Sequence, residues 1–264
     1  MSFYLDFILT MAASVVVASA TAPARAEVSA LELAALYAAE VQPRWQPPAD
    51  VQQRYIDLTR QMLLQAQITL AEAQYVLVVD RAPAVQVSLL YWTDGGTDFR
   101  LIGAAPVSTG RIGQFDHFLT PTGVFRHSVD NPDYRALGTR NSKGVRGYGV
   151  RGMRVFDLGW QTAQRGWGKG ASGTMRLQMH ATDPDLLEPL LGSAQSKGCI
   201  RIPASLNRLL DIHGVLDADY QAARAAGERI MGSIPVGDVD TPGRYIVVVD
   251  SETVDRPDWA SPLR

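Results

Sequence analysis

A mainly β fold, with helices at its front and inserted late, is what these 264 residues predict. From Gln74 onward, short runs rich in β-branched residues alternate with Gly, Asp and Pro, the pattern of antiparallel strands joined by turns. Before Gln74 the periodicity is helical. With 46% apolar and 20% charged residues, the chain has material for one sizeable domain with an accessory piece. A formal net charge of -2, without basic runs interleaved with aromatics, makes no electrostatic case for nucleic acid.

Residues 1–26 read as an export signal. Phe7 to Ala20 is an uncharged apolar run, short for a membrane span, and Ala24-Arg25-Ala26 follows as a small-x-small cleavage pattern. The start carries Asp6 and no Lys or Arg, unlike the usual basic n-region. Cleavage would leave a periplasmic or wall-associated protein without stable membrane insertion; a retained anchor is the alternative. Residues 27–73 hold two helices. In the second, Val51, Tyr55, Leu58, Met62 and Leu63 recur at three- and four-residue steps. The stretch "QPRWQPPAD" breaks the two apart, and Asp50 is the capping candidate.

The predicted β region spans residues 74–250. Strands are "YVLVVD", "VQVSLLYW", "FRLIGAAPVS", Gly123 to Val129, Met153 to Leu158, Thr174 to His180 and, near the end, "RYIVVVD". Gly159 to Gly173, glycine-rich with two tryptophans, reads as an exposed loop, either a connector or a carrier of binding groups. Pro203 stands at a first helical position, and "ASLNRLLDIHG" is a helix that Gly214 can end. A further helix is expected over Asp219 to Ile230, and residues 251–264 form a tail. Neither internal repeats nor low-complexity segments occur.

One cysteine, Cys199 in "GSAQSKGCIR", is present in the chain. A disulfide within the monomer is excluded, and thiolate zinc sites usually take two or more cysteines. Cys199 is then either a packed small hydrophobe or a nucleophile, and export to an oxidising space adds weight to a purpose for it. A nucleophile needs a base. Of the four histidines, His213 ends a helix and is expected at the surface or in a cap, and His117 lies in a loop. His127, in a strand pattern, is expected to face solvent. His180 ends the strand "TMRLQMH", at the rim of a sheet.

His180, fifteen intervening residues and "SKGCIR" together resemble the signature of the L,D-transpeptidase (YkuD-type) catalytic domain; upstream, "VSTGRIGQFDHFLTPTGVF" resembles a second segment of that family. The resemblance runs from about Gln74 to Asp250 and implies a YkuD-type β-sandwich. It implies a cysteine transferase acting on peptidoglycan stem peptides through a thioester, resolved by an acceptor amine, with no metal or organic cofactor. A hydrolase on the same scaffold and a non-catalytic wall-binding module are the rivals. In the implied site, His180 is the base for Cys199, and the Ala181 carbonyl holds its other ring nitrogen. Backbone amides of Gly198 and Cys199 face the oxyanion. Arg201, Ser196 and Lys197 are the substrate-side candidates. Ser196 also suits bracing of the turn, and Arg201 a structural salt bridge. The helix after Pro203 would favour the thiolate if its N-terminus pointed at the sulfur. Lys197 departs from the family's usual histidine; it either favours the thiolate or is solvated, and a polar turn favours the latter.

Overall fold

The computed structural model describes residues 28–230 and 234–261, so the export-signal reading lies outside the described residues. Two sheets share one core. The first has the order β3 (Phe99–Pro106), β2 (Val87–Thr93), β1 (Gln74–Asp80), β9 (Tyr245–Val249) and β4 (Gly123–Arg126). The second has the order β5 (Tyr134–Arg135), β6 (Arg154–Gln164), β7 (Ser172–Ala181) and β8 (Ile200–Ile202). Among the described residues four α-helices complete the fold: α1 (Ala30–Glu40), α2 (Ala49–Gln65), α3 (Ala204–His213) and α4 (Ala218–Ala225). Among the described residues no helix is long and apolar enough to cross a membrane.

Both sheets are mixed rather than antiparallel throughout, because β1 pairs with β9, and β7 with β8, in parallel. Each parallel pair is joined by a long crossover, which strand patterns alone do not reveal. The alternation of β1 explains why "YVLVVD" is a continuous apolar run. Tyr75, Leu77 and Val79 enter the core between the sheets with Phe156, Leu177, Met179 and Ile200. Val76 and Val78 face the other way, against Tyr55, Ile56 and Leu63 of α2. A strand buried on both faces has no polar side to show.

The helical front is therefore packed into the β structure. Ser29 and Glu32 form a capping box that starts α1, and Leu33, Tyr37 and Val41 enter the inter-sheet core. α2 covers the outer face of the first sheet, where Tyr55 donates to the buried Asp80 carboxylate at 2.6 Å. The tail returns to the same region: Trp259 meets Trp45 edge to face, and Arg256 donates to the Gly192 carbonyl at 2.7 Å.

Several elements differ from expectation. The predicted Gly159–Gly173 loop is mostly a hairpin: β6 continues to Gln164 and β7 begins at Ser172. Its glycines mask a two-residue alternation in which Trp160, Thr162 and Gln164 face out while Ala163 is buried. Asp50 lies in the first turn of α2 without capping it; Pro48 takes the cap position. Pro203 is likewise the cap residue of α3, while Gly214 ends that helix at φ 61° as expected. The last helix is short, ending at Ala225.

His127 does not face solvent. It is fully buried, stacked 5.1 Å from the Tyr220 ring, with Nδ1 donating to the Leu216 carbonyl at 2.8 Å and Nε2 to Asp133 at 2.9 Å. Both ring nitrogens meet acceptors, so both carry protons. Burial alone would lower its pKa, but the charge and hydrogen bond of Asp133 outweigh burial and raise it. Its contribution to stability is thus full below the ordinary histidine pKa of about 6.5 and fades as pH rises through the higher folded value. Beside it, the fully buried Arg154 bridges Asp133 at 2.6 Å and Asp217 at 2.7 Å. His213 is also buried, paired with Asp238 at 2.6 Å.

Arg154→Met would strand two buried carboxylates, and a loss of about 3–5 kcal/mol is expected in urea unfolding. Arg126→Ala, whose side chain is 57% exposed beside Asp219, should cost less than about 1 kcal/mol.

Candidate active site

β7 organises the site through its alternation. Met175, Leu177 and Met179 enter the core, and Arg176, Gln178 and His180 share the opposite face. β8 runs parallel to it with Met179 opposite Ile200 and His180 opposite Arg201. Cys199, one residue before β8, therefore falls alongside Gln178. The Gln178 backbone N–H bonds to its sulfur, and Sγ lies 3.9 Å from the Arg176 carbonyl. The two motif halves meet here, a histidine from one strand end and a cysteine from the turn entering the next.

His180 is 4% exposed and its Nδ1 lies 2.6 Å from the Ala181 carbonyl. A carbonyl only accepts, so Nδ1 carries the proton and Nε2 keeps its lone pair. Burial is the main cause that lowers the His180 pKa to about 4, helped by the Arg201 charge and opposed by the Ala181 hydrogen bond. The imidazole is neutral at neutral pH. Burial also pushes the half-buried Cys199 thiol up; the Gln178 N–H and Arg201 only partly offset this. No hydrogen bond joins Sγ to His180. At rest, burial thus favours the neutral form of both the thiol and the imidazole.

The turn before Cys199 is braced from within. Ser196 is buried; its hydroxyl donates to the Cys199 carbonyl at 2.6 Å and accepts from the Gly198 N–H at 3.0 Å. Ser196 is thus spent on the turn and not turned to a substrate. The same bond removes the Gly198 amide from the expected oxyanion pair, whereas the Cys199 N–H meets no acceptor among the described residues. Gly198 has φ 131°, and a Cβ there would lie 2.8 Å from the Met175 sulfur. Glycine is needed for the bend as well as for any close approach of a carbonyl. Thr120 closes the turn from the neighbouring segment by donating to the Gly198 carbonyl at 2.7 Å.

Lys197 points away from the sulfur to an exposed ion pair with Asp116 at 2.6 Å, the solvated arrangement that a polar turn favours. Arg201 makes no salt bridge among the described residues. Its Nη1 reaches the Gln195 carbonyl at 3.4 Å, and its buried Nε has no partner. The N-terminus of α3 meets Glu188 at 3.4 Å through the Ala204 N–H, so its dipole is answered by a carboxylate and not by the thiol.

Five residues at the site escape the motif reading. Tyr148 arrives on the long segment between β5 and β6 and sets its ring 4.5 Å from the His180 ring. Its hydroxyl donates to Gln178 Oε1 at 3.1 Å. Gly149 makes that approach feasible: at φ 84°, a Cβ would sit 3.0 Å from the Ala181 Cβ. The Gln178 amide donates to buried Asp157 at 3.0 Å, and Arg176 Nε to the same oxygen at 2.8 Å. The available signal was "RLQMH", where polar residues recur every second position on a strand whose other face is apolar. Among the described residues no group of His, Cys, Asp or Glu is arranged to hold a metal ion.

A family model for the L,D-transpeptidase catalytic domain (YkuD) matches residues 74–218, more than half of the chain. No curated protein matches the sequence.

Iodoacetamide alkylation of Cys199 should be slow at neutral pH and climb only above the ordinary thiol pKa of about 8.5, with no acidic plateau. Lys197→Met should leave that profile unchanged. A plateau near neutral pH in the native protein would mean that the thiolate is already formed at rest.

Proposed function

The chain belongs to the L,D-transpeptidase catalytic-domain family, and from that premise we propose that it is a cysteine-dependent L,D-transpeptidase acting on peptidoglycan stem peptides. The observation that carries this reading is the tautomer of His180: its Nδ1 proton is fixed on Ala181, and its Nε2 is free to act on the row that holds Cys199. Substrate binding draws the thiol and imidazole together, since catalytic hydrogen bonds commonly tighten only in the complex. His180 takes the thiol proton as Sγ attacks the carbonyl of the L-centred residue. The tetrahedral oxyanion is met by the Cys199 N–H. Collapse breaks the C–N bond, His180 returns the proton to the departing D-alanine amine, and a thioester remains. An acceptor amine then attacks, and the thiol is regenerated.

At rest the low His180 pKa leaves Nε2 without a proton, and a thiolate forming beside it favours the imidazolium and raises that pKa. The imidazolium, once formed, is the acid towards the leaving amine. Arg201, opposite His180 and without a carboxylate of its own, is the group for the leaving residue's carboxylate. The reaction is placed outside the cytoplasmic membrane, on the strength of the apolar leader and small-x-small pattern at residues 1–26.

Incubating the protein with disaccharide-tetrapeptide muropeptides should yield cross-linked dimers by mass spectrometry, and Cys199→Ser should yield none. His180→Gln should lower turnover by about 10²- to 10⁴-fold, as expected for a lost general base. Free tripeptide as the sole product, with acceptor in excess, would make the enzyme a hydrolase; dimer formation by Cys199→Ser would overturn the nucleophile.

A further inference from the structure

The face that carries Gln178 and His180 also carries Arg176, and its setting is unusual for an arginine that only stabilises a sheet. Its Nε is fixed by Asp157 at 2.8 Å, and the Asp157 carboxylate is buried and further held by Gln178 and by the Gly159 N–H at 2.9 Å. That single bond sets the direction of the guanidinium. Nη1 and Nη2 have no partner among the described residues, and the side chain remains 38% exposed. Trp160, opposite Arg176 on β6 and 64% exposed, lies with its ring 5.7 Å from the guanidinium carbon and walls one side. An oriented guanidinium with an open Nη pair is a fork for a planar anion.

Its position relative to the thiol gives the fork a specific task. Register places Arg201 opposite His180, and Cys199 beside Gln178. Arg176 and His180 are four residues apart on one strand, about 13 Å along it. The two cations thus stand on either side of the nucleophile. The His180 side is where a leaving amine must be protonated, so the Arg176 side belongs to the acyl portion of the substrate.

We propose that Arg176 is a specificity residue that binds a carboxylate on the acyl-donor side, one carried on the side chain of the L-centred residue whose carbonyl is attacked, as in diaminopimelate. This rests on the transpeptidase reading and deepens it: Arg201 takes the carboxylate that departs, and Arg176 the one that stays on the enzyme. Asp157 is the positioning residue, aiming the fork without touching the substrate.

The test compares two purified disaccharide-tetrapeptides, one with that carboxylate free and one with it amidated, on the native protein, Arg176→Gln and Arg176→Lys. The native protein should prefer the free acid. In Arg176→Gln the ratio of kcat/KM, free acid to amide, should fall by about 10- to 100-fold, the range for losing a charged hydrogen-bond partner. Most of this should be a rise in KM, because the contact is made before and during reaction. Arg176→Lys, which keeps the charge and loses the fork, should recover part of the preference. Iodoacetamide alkylation of Cys199 should proceed at the native rate in both variants, reporting an intact turn. Equal losses on both substrates, or no change in their ratio, would reduce Arg176 to a structural role and overturn the assignment while leaving the transpeptidase reading in place. A native protein that turns over neither substrate would overturn that reading, and this assignment with it.

Discussion

The site depends on the register of β7 against β8. Met179 opposite Ile200 buries both side chains in the core between the sheets, and this sets Cys199 beside Gln178 and Arg201 beside His180. A slip of one residue would turn Leu177 and Met179 outward and drive Arg176, Gln178 and His180 into the core, so burial fixes the register firmly. Core packing and chemistry are two faces of one strand. Cys199 needs no dedicated scaffold, because the strand that carries His180 also sets the place of the cysteine.

A second constraint keeps the surrounding segments in place. Arg154 begins β6 and ties it to Asp133, just before β5, and to Asp217, which precedes α4. His127 joins the same carboxylate from the end of β4. Such a cluster adds little net stability compared with an apolar core, yet it is costly to leave half-made. Its consequence is positional: the long segment that carries Tyr148 over His180 is anchored at both ends by charged groups with one mutual arrangement.

The legibility of this molecule follows the range of its interactions. Local signals were readable: the stripe of α2, Gly214 as the stop of α3, and the strands with uninterrupted β-branched runs. The placement of His180 and Cys199 on neighbouring strand rows was readable, because sequence spacing brings a strand end and the following turn into one motif. Contacts made over long separations were not. His127 looks like any strand histidine until Asp133, Leu216 and Tyr220 close around it, and Lys197 gives no hint of Asp116. The Gly198 amide fits an oxyanion pair on paper, whereas its bond to the Ser196 hydroxyl depends on how the turn folds back. The hairpin of β6 and β7 was hidden for a local reason, since glycines at 159, 166, 168, 170 and 173 outweigh the alternation of the residues between them.

The place of β9 has a consequence for the order in which this protein can assemble. It is the last strand among the described residues and yet lies inside the first sheet, between β1 and β4. Until residues 245–249 have emerged, β1 keeps an open edge and β4 has no neighbour within that sheet. A chain delivered from its N-terminus, by ribosome or by translocation pore, therefore cannot complete this sheet until synthesis or passage is nearly over. Its inner face, against which β7 packs its core residues, is finished last, so the strand row of Arg176, Gln178 and His180 gains a complete core behind it only late in the making of each molecule.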